Sequence, residues 1–233
     1  MPKAFDKWQV FPHRPLEKLE PNLWRVEGDL PGGNGTRVMT IAKLRDGGLV
    51  IHNGIALEPE AMAEIEGFGK PAFIVVPNGL HRLDSKVFKE RYPSAKVVCP
   101  AGTKKKVAEV VPVDLTYAEM PKDDDVSFVY WDGSAEREAV MIVKSPGKTT
   151  LVVNDMIGNL PKLGGLWGFL LAPTGRPAVP RLVRWMLVKD KQALGGHLER
   201  LASEPQLARI IVSHGAVMSD QPADALRAAR ATL

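Results

Sequence analysis

Apolar residues in this chain recur in short runs of strand length, each cut off sharply by polar or glycine-rich turns. Leu23-Trp24-Arg25-Val26, residues 37–41 with alternation, and residues 48–52 read as three early strands. Arg45-Asp46-Gly47-Gly48 joins the last two as a hairpin, because Asp-Gly supplies the positive φ that a tight turn needs. Pro59 then opens a short helix through Glu66 that closes at Gly67 or Gly69. The run at residues 72–76 follows as a strand, ends at Pro77-Asn78-Gly79, and gives way to Leu80-His81-Arg82-Leu83-Asp84. A helix from Ser85 to Tyr92 and a strand at 96–99 complete an alternation of strand and helix, which predicts an α/β fold.

The second half repeats the theme. A brief basic helix at 104–110 leads past Asp123-Asp124-Asp125 to three strands at 126–131, 138–143 and 150–153, with turns at Asp132-Gly133 and Pro146-Gly147. The acidic triplet lacks the loop glycine and terminal glutamate of a calcium loop. From Gly158 the pattern breaks down: Leu160 to Leu171 is apolar and glycine-rich, a loop or broken helix. Val179, Leu182, Val183, Met186 and Leu187 form one continuous stripe on a helix that Pro180 starts, and a further helix spans 191–202. A strand at 209–212, ending in Ser213-His214-Gly215, precedes a last helix from Pro222, with Ser219 or Asp220 as its cap. Residues 1–21, rich in proline, read as an extended arm anchored by Trp8 and Phe11.

Composition narrows the class. The 233 residues, 45% hydrophobic and 25% charged, suffice for one large domain with an insertion near 158–203. A charged amino-terminal stretch without an apolar core, and a single cysteine, predict a cytoplasmic protein with no intramolecular disulfide. The net charge of +4 is unevenly spread: residues 161–200 hold seven Lys/Arg against Asp190 and Glu199. A basic excess confined to one segment predicts no nucleic-acid partner. It points instead to a local surface, with Arg181, Arg184 and Lys189, that meets an anionic partner or lipid through a peripheral contact over 158–191.

Three polar residues stand just past the carboxyl ends of strands: His81, Asp155 and His214. Ligands gather at such ends in open α/β sheets, and two imidazoles with a carboxylate suit a borderline divalent ion such as zinc or iron. A site with no ion, in which Asp155 orients an imidazole, stays open beside it. His52, at another strand end, is a further ligand or a structural hydrogen-bonding group; His197 and His13 read as structural. No serine sits in a nucleophile elbow.

The order of features resembles the metallo-β-lactamase fold superfamily, in a divergent branch. The resemblance rests on Leu49-Val-Ile-His-Asn53, on Pro77-Asn78 with His81, on Tyr92-Pro93 and Lys96-Val97, on Thr150-Leu-Val-Val-Asn-Asp155, and on His214-Gly215. It implies a four-layer αβ/βα sandwich and metal-assisted hydrolysis. It also implies a reduced ligand set. Where the family's Thr-His-x-His-x-Asp-His motif is expected, this chain has Asn78, Leu80, Arg82 and Leu83, unless a shifted loop lets His81 and Asp84 serve. Ser134 stands where a later histidine is expected, and His52 where a structural aspartate is. Asp155 matches the bridging aspartate and His214 the final histidine. The resemblance thus implies at most one retained metal, held by His81, Asp155 and His214, or a non-catalytic binding protein on the same fold.

Overall fold

A computed structural model describes residues 4–33 and 35–233. The first three residues of the expected arm lie outside it. The described residues form a mixed α/β structure with two sheets and seven helices, in two compact units, residues 1–127 and 128–233.

The first unit is built on a seven-stranded sheet in chain order: β1 (Glu17–Glu20), β2 (Leu23–Asp29), β3 (Thr36–Lys43), β4 (Gly48–His52), β5 (Lys70–Val75), β6 (Lys96–Cys99) and β7 (Leu115–Thr116). β1 to β4 pair antiparallel and β4 to β7 parallel. The change of direction follows from the connections. Arg45 to Gly48 is a tight turn, closed by Leu44 N–H donating to the Gly48 carbonyl at 2.8 Å, whereas a parallel return needs a crossover. Two helices supply the crossovers after β4 and β5: α1 (Pro59–Phe68) and α2 (Ser85–Arg91). Pro59 starts α1, Met62 and Ile65 turn inward one turn apart, and Gly69 ends it.

Six consecutive residues of β3 are buried, as in a strand covered on both faces. Ile41, Leu49, Ile51, Ile74, Val97 and Phe88 of α2 meet in its core. The arm is tied down as its aromatics predict: Trp8 Nε1 donates to the Leu57 carbonyl at 3.0 Å, and its ring lies 5.0 Å from Phe88. Its last residues are not simply extended coil but β1, recruited to the sheet edge by β2. The Arg45 guanidinium reaches Asp124 and Asp125 of the acidic turn and its backbone amide donates to Asp123, so one arginine offsets part of the triplet's charge.

The second unit carries a four-stranded sheet in the order β11 (Leu207–Val212), β10 (Lys148–Val153), β9 (Ala139–Ser145), β8 (Val126–Tyr130). β9 and β10 form a hairpin, while β11 joins β10 in parallel after a long excursion containing α4 (Gly165–Leu170), α5 (Arg181–Leu187) and α6 (Lys191–Ala202). The short α3 (Lys104–Val107) lies in the first unit, and α7 (Pro222–Arg230) ends the chain. Leu194 and Leu198 of α6 and Leu226 and Ala229 of α7 pack with Trp131, Val153 and Val212. His197 is structural here: its Nδ1 accepts the Asp132 N–H at 3.1 Å beside the Trp131 ring. Neither Ser219 nor Asp220 caps α7. Gln221, in a left-handed conformation, occupies the cap position without a side-chain bond, and Pro222 at the first helical position sets the start.

Candidate metal centre

The loop after β5 is shaped by its own side chains. Asn78 Oδ1 accepts the amides of Leu80, at 2.8 Å, and His81, at 3.2 Å, so one buried asparagine fixes the turn that presents His81. Arg82 is anchored through Nη1 to the Lys106 carbonyl at 2.6 Å and to Glu109 at 3.0 Å. Asp84 is fully buried. It pairs with Arg37 of β3 and accepts the Ala56 amide at 3.1 Å. Burial pushes the Asp84 carboxyl up, against the opposing pull of Arg37. Asn78 and Asp84 thus stand in the scaffold that holds His81.

Because β4 and β5 run parallel with His52 opposite Val75, the loops at their carboxyl ends are neighbours. Asn53, with φ of 57°, takes the left-handed conformation that asparagine tolerates. Its Nδ2 donates to the Val38 carbonyl at 2.8 Å, which turns Oδ1 toward His81 Nδ1 at 3.2 Å. An amide oxygen only accepts, so His81 carries its proton on Nδ1 and presents a lone pair at Nε2. A ligating histidine with its other nitrogen bound to an oxygen has this arrangement. His52 is 1% exposed, and burial, followed by charge on His81, pushes its imidazole down to about 3. It is neutral at ordinary pH.

In the second unit Val153 of β10 sits opposite Val212 of β11 in parallel register. One step on, Ser213 Oγ donates to Asn154 Oδ1, both buried. One step further, Asp155 Oδ1 lies 3.7 Å from His214 Nε2. That is too long for a hydrogen bond, yet close to the roughly 3.4 Å that separates two ligand atoms at about 2.1 Å from one tetrahedral ion. Two loops lock the pair. The buried Glu138 carboxylate accepts the Met156 amide at 2.8 Å, and Asn159 Nδ2 donates to the Ala216 carbonyl at 2.9 Å. Gly215, at φ of 102°, lets the chain pass Asn159, whose carbonyl oxygen would lie 2.2 Å from a Cβ there. Ser134 is buried in the turn before β9, its Oγ donating to the Glu138 carbonyl at 3.4 Å.

Among the described residues, one group of His, Cys, Asp and Glu side chains could hold a metal ion: His81, Asp155 and His214, each half-buried. Two imidazoles and a carboxylate are a donor set that fits one borderline divalent ion. Sequence reasoning had no signal for Glu138 or for the tautomer-setting role of Asn53. A carboxylate at a strand start and an asparagine before glycine look like surface and turn residues until their partners are seen.

Arg181 and Arg184 are committed within their own unit. Arg181 donates to the Phe169 carbonyl at 3.1 Å with its guanidinium 4.2 Å from the Phe169 ring, and Arg184 bonds the Thr232 carbonyl. Lys189 is exposed.

No family model and no curated protein matches the sequence. Solved structures do match in shape. A metallo-β-lactamase from Pontibacter korlensis superposes with a TM-score of 0.62 at 13% identity, over 95% of this chain and 100% of that one. VMB-1 gives 0.63 at 12%, over 96% and 98%, and the DIM-1 metallo-β-lactamase 0.63 at 12%, over 96% and 99%. At such identities the likeness concerns the fold. The chain has the αβ/βα sandwich fold of the metallo-β-lactamases.

Proposed function

We propose that the protein is a metal-dependent hydrolase-like enzyme of reduced metal content, in which His81, Asp155 and His214 hold a single zinc or iron ion. The observation that carries this reading is the Asp155–His214 pair, held 3.7 Å apart by the parallel register of β10 and β11. The Nε2 lone pair of His81, fixed by Asn53, supports it, as does the fold. When bound, such an ion supplies Lewis acidity and a water made nucleophilic near neutral pH. The chain's own residues do the rest. Asn78 and Asn53 orient His81 in position and tautomer. His52 stays neutral beside it and adds no competing charge. Glu138 and Asn159 hold the loops on which Asp155 and His214 stand. Three protein ligands leave coordination positions for water and substrate, as catalytic rather than structural sites do.

Protein purified without chelator and analysed by mass spectrometry for metals is expected to carry about one zinc or iron per chain, by analogy with three-ligand sites. His214→Ala and His81→Ala should each lose it while keeping the wild-type circular dichroism. A metal-free wild type would sink the reading.

A second reading has its own support. Arg82 stands where the resemblance expects a metal-binding aspartate, and it is tied to Lys106 and Glu109 as a structural residue. A loop so committed suits a binding protein that keeps the fold without the ion. Its sign would be a folded wild type that neither retains nor takes up zinc on titration.

A further inference from the structure

Six of the eight large apolar residues that are most exposed among those described fall within 163–186: Leu163, Leu166, Trp167, Phe169, Trp185 and Met186. Trp167 is 65% exposed and Trp185 60%. Soluble surfaces seldom gather such residues without a purpose. Nor is the segment a frayed loop. Gly158 and Ala178 pair as an antiparallel bridge, Gly175 N–H donates to the Leu160 carbonyl at 2.8 Å, and Leu163 N–H donates to Thr174 Oγ1 at 3.1 Å. These rungs close the base of an excursion whose far end is α4. Arg181, stacked on Phe169, fastens α5 against it.

The charge of the same stretch is one-sided. Residues 156–189 contain Lys162, Arg176, Arg181, Arg184 and Lys189 and no Asp or Glu. Arg181 and Arg184 are engaged within the fold, and the exposed cations are Lys162, Arg176 and Lys189.

We propose that residues 160–189 form a docking surface for anionic lipid membranes, with Leu166, Trp167, Phe169 and Trp185 entering the interface and Lys162, Arg176 and Lys189 meeting the head groups. Tryptophan favours the boundary between acyl chains and head groups, and basic residues beside it add attraction to anionic lipid. The contact is peripheral, because no helix among the described residues is long and apolar enough to cross a membrane. A second copy of the chain fits the patch less well. A two-fold interface sets the same surface against itself, which here would oppose five cations to five with no acid to offset them.

The test is co-sedimentation of the full chain at low salt with vesicles of phosphatidylcholine alone and of phosphatidylcholine mixed with phosphatidylserine. The proposal expects binding to the mixed vesicles, a blue shift of tryptophan emission, and release by salt. Trp167→Ala with Trp185→Ala should weaken binding about tenfold or more, and Lys162→Gln with Arg176→Gln about 25-fold, taking roughly fivefold per cation. All four side chains are exposed, so the variants should keep the wild-type circular dichroism. Failure of the wild type to sediment with mixed vesicles would overturn the proposal. So would equal binding to both vesicle types, or a concentration-dependent dimer that the tryptophan double variant abolishes.

Discussion

The Arg37–Asp84 pair gives the sharpest test of how the first unit holds the His81 loop. Arg37 lies on β3, its side chain 4% exposed, and Asp84, 0% exposed, closes the loop that carries His81. Replacing Arg37 with methionine leaves the Asp84 carboxylate buried, with the Ala56 amide as its remaining described donor. Removing one partner of a buried ion pair costs about 3 to 5 kcal/mol, since the other charge stays uncompensated. With a urea slope of about 2 kcal/mol per molar, the unfolding midpoint should fall by about 2 M. Arg37→Met with Asp84→Leu removes both charges and should recover most of the loss. The deficit depends on pH with a definite sign. Burial already holds the Asp84 carboxyl above its ordinary value, and loss of Arg37 raises it further. The folded variant then keeps a proton that the unfolded chain sheds above about pH 4, so its stability relative to wild type falls as pH rises through the raised folded value. Urea titrations followed by circular dichroism at pH 4.5 and 7.5 read both effects. A loss under about 1 kcal/mol at pH 7.5, with no recovery in the double variant, would refute the argument.

Other consequences follow from the same geometry. His52, pushed down to about 3 from 6.5, contributes stability present above 6.5 and lost as pH falls toward 3. Between pH 7.5 and 4.5 the wild type should lose roughly 3 kcal/mol more than His52→Gln, read from urea midpoints at the two pH values. Gly215→Ala places a Cβ against the Asn159 carbonyl at a positive φ and should cost about 2 kcal/mol or more, a fall in Tm of roughly 4 °C or more by differential scanning calorimetry. Asn53→Gly keeps the left-handed backbone and removes the His81 partner, so metal affinity should drop about 10- to 100-fold in a competition titration. Cys99 is buried and its thiol is pushed up to about 11 by burial. Iodoacetamide at pH 8 should label it only in denaturant, and rapid labelling of the native protein would contradict that placement.

Much of this fold was legible because its elements are punctuated locally. The helix at 191–202 begins after Asp190, whose side chain accepts the Ala193 amide at 3.0 Å, and the sequence alone places it correctly. Pro59, the turn at Arg45 to Gly48 and the run into Pro77 act in the same way. Elements that depend on tertiary partners were harder. The stretch 17–20 has no strand pattern of its own and becomes β1 because β2 offers an edge. The start of α7 is set by Pro222 and a left-handed Gln221 rather than by either polar residue suited to cap it. For the candidate site, position relative to strand ends singled out His81, Asp155 and His214, whose ligand atoms lie within 4.8 Å of one another. The sequence was silent on what orients them, since the hydrogen bond that His81 donates to Asn53 spans 28 residues.

That silence also explains why the sparse ligands of the loop after β5 are more than missing histidines. Asn78 satisfies two amides, Arg82 binds a carbonyl and a carboxylate, and Asp84 pairs with Arg37 while accepting a backbone amide. Each of these side chains does structural work that an imidazole at the same position would have to abandon. A histidine at 78 loses the short acceptor that turns the chain toward His81. An aspartate at 82 loses the reach to Lys106 and sets a carboxylate close to Glu109. Adding ligands here therefore means rebuilding the loop that supports His81, whose orientation is fixed by Asn78 and Asn53.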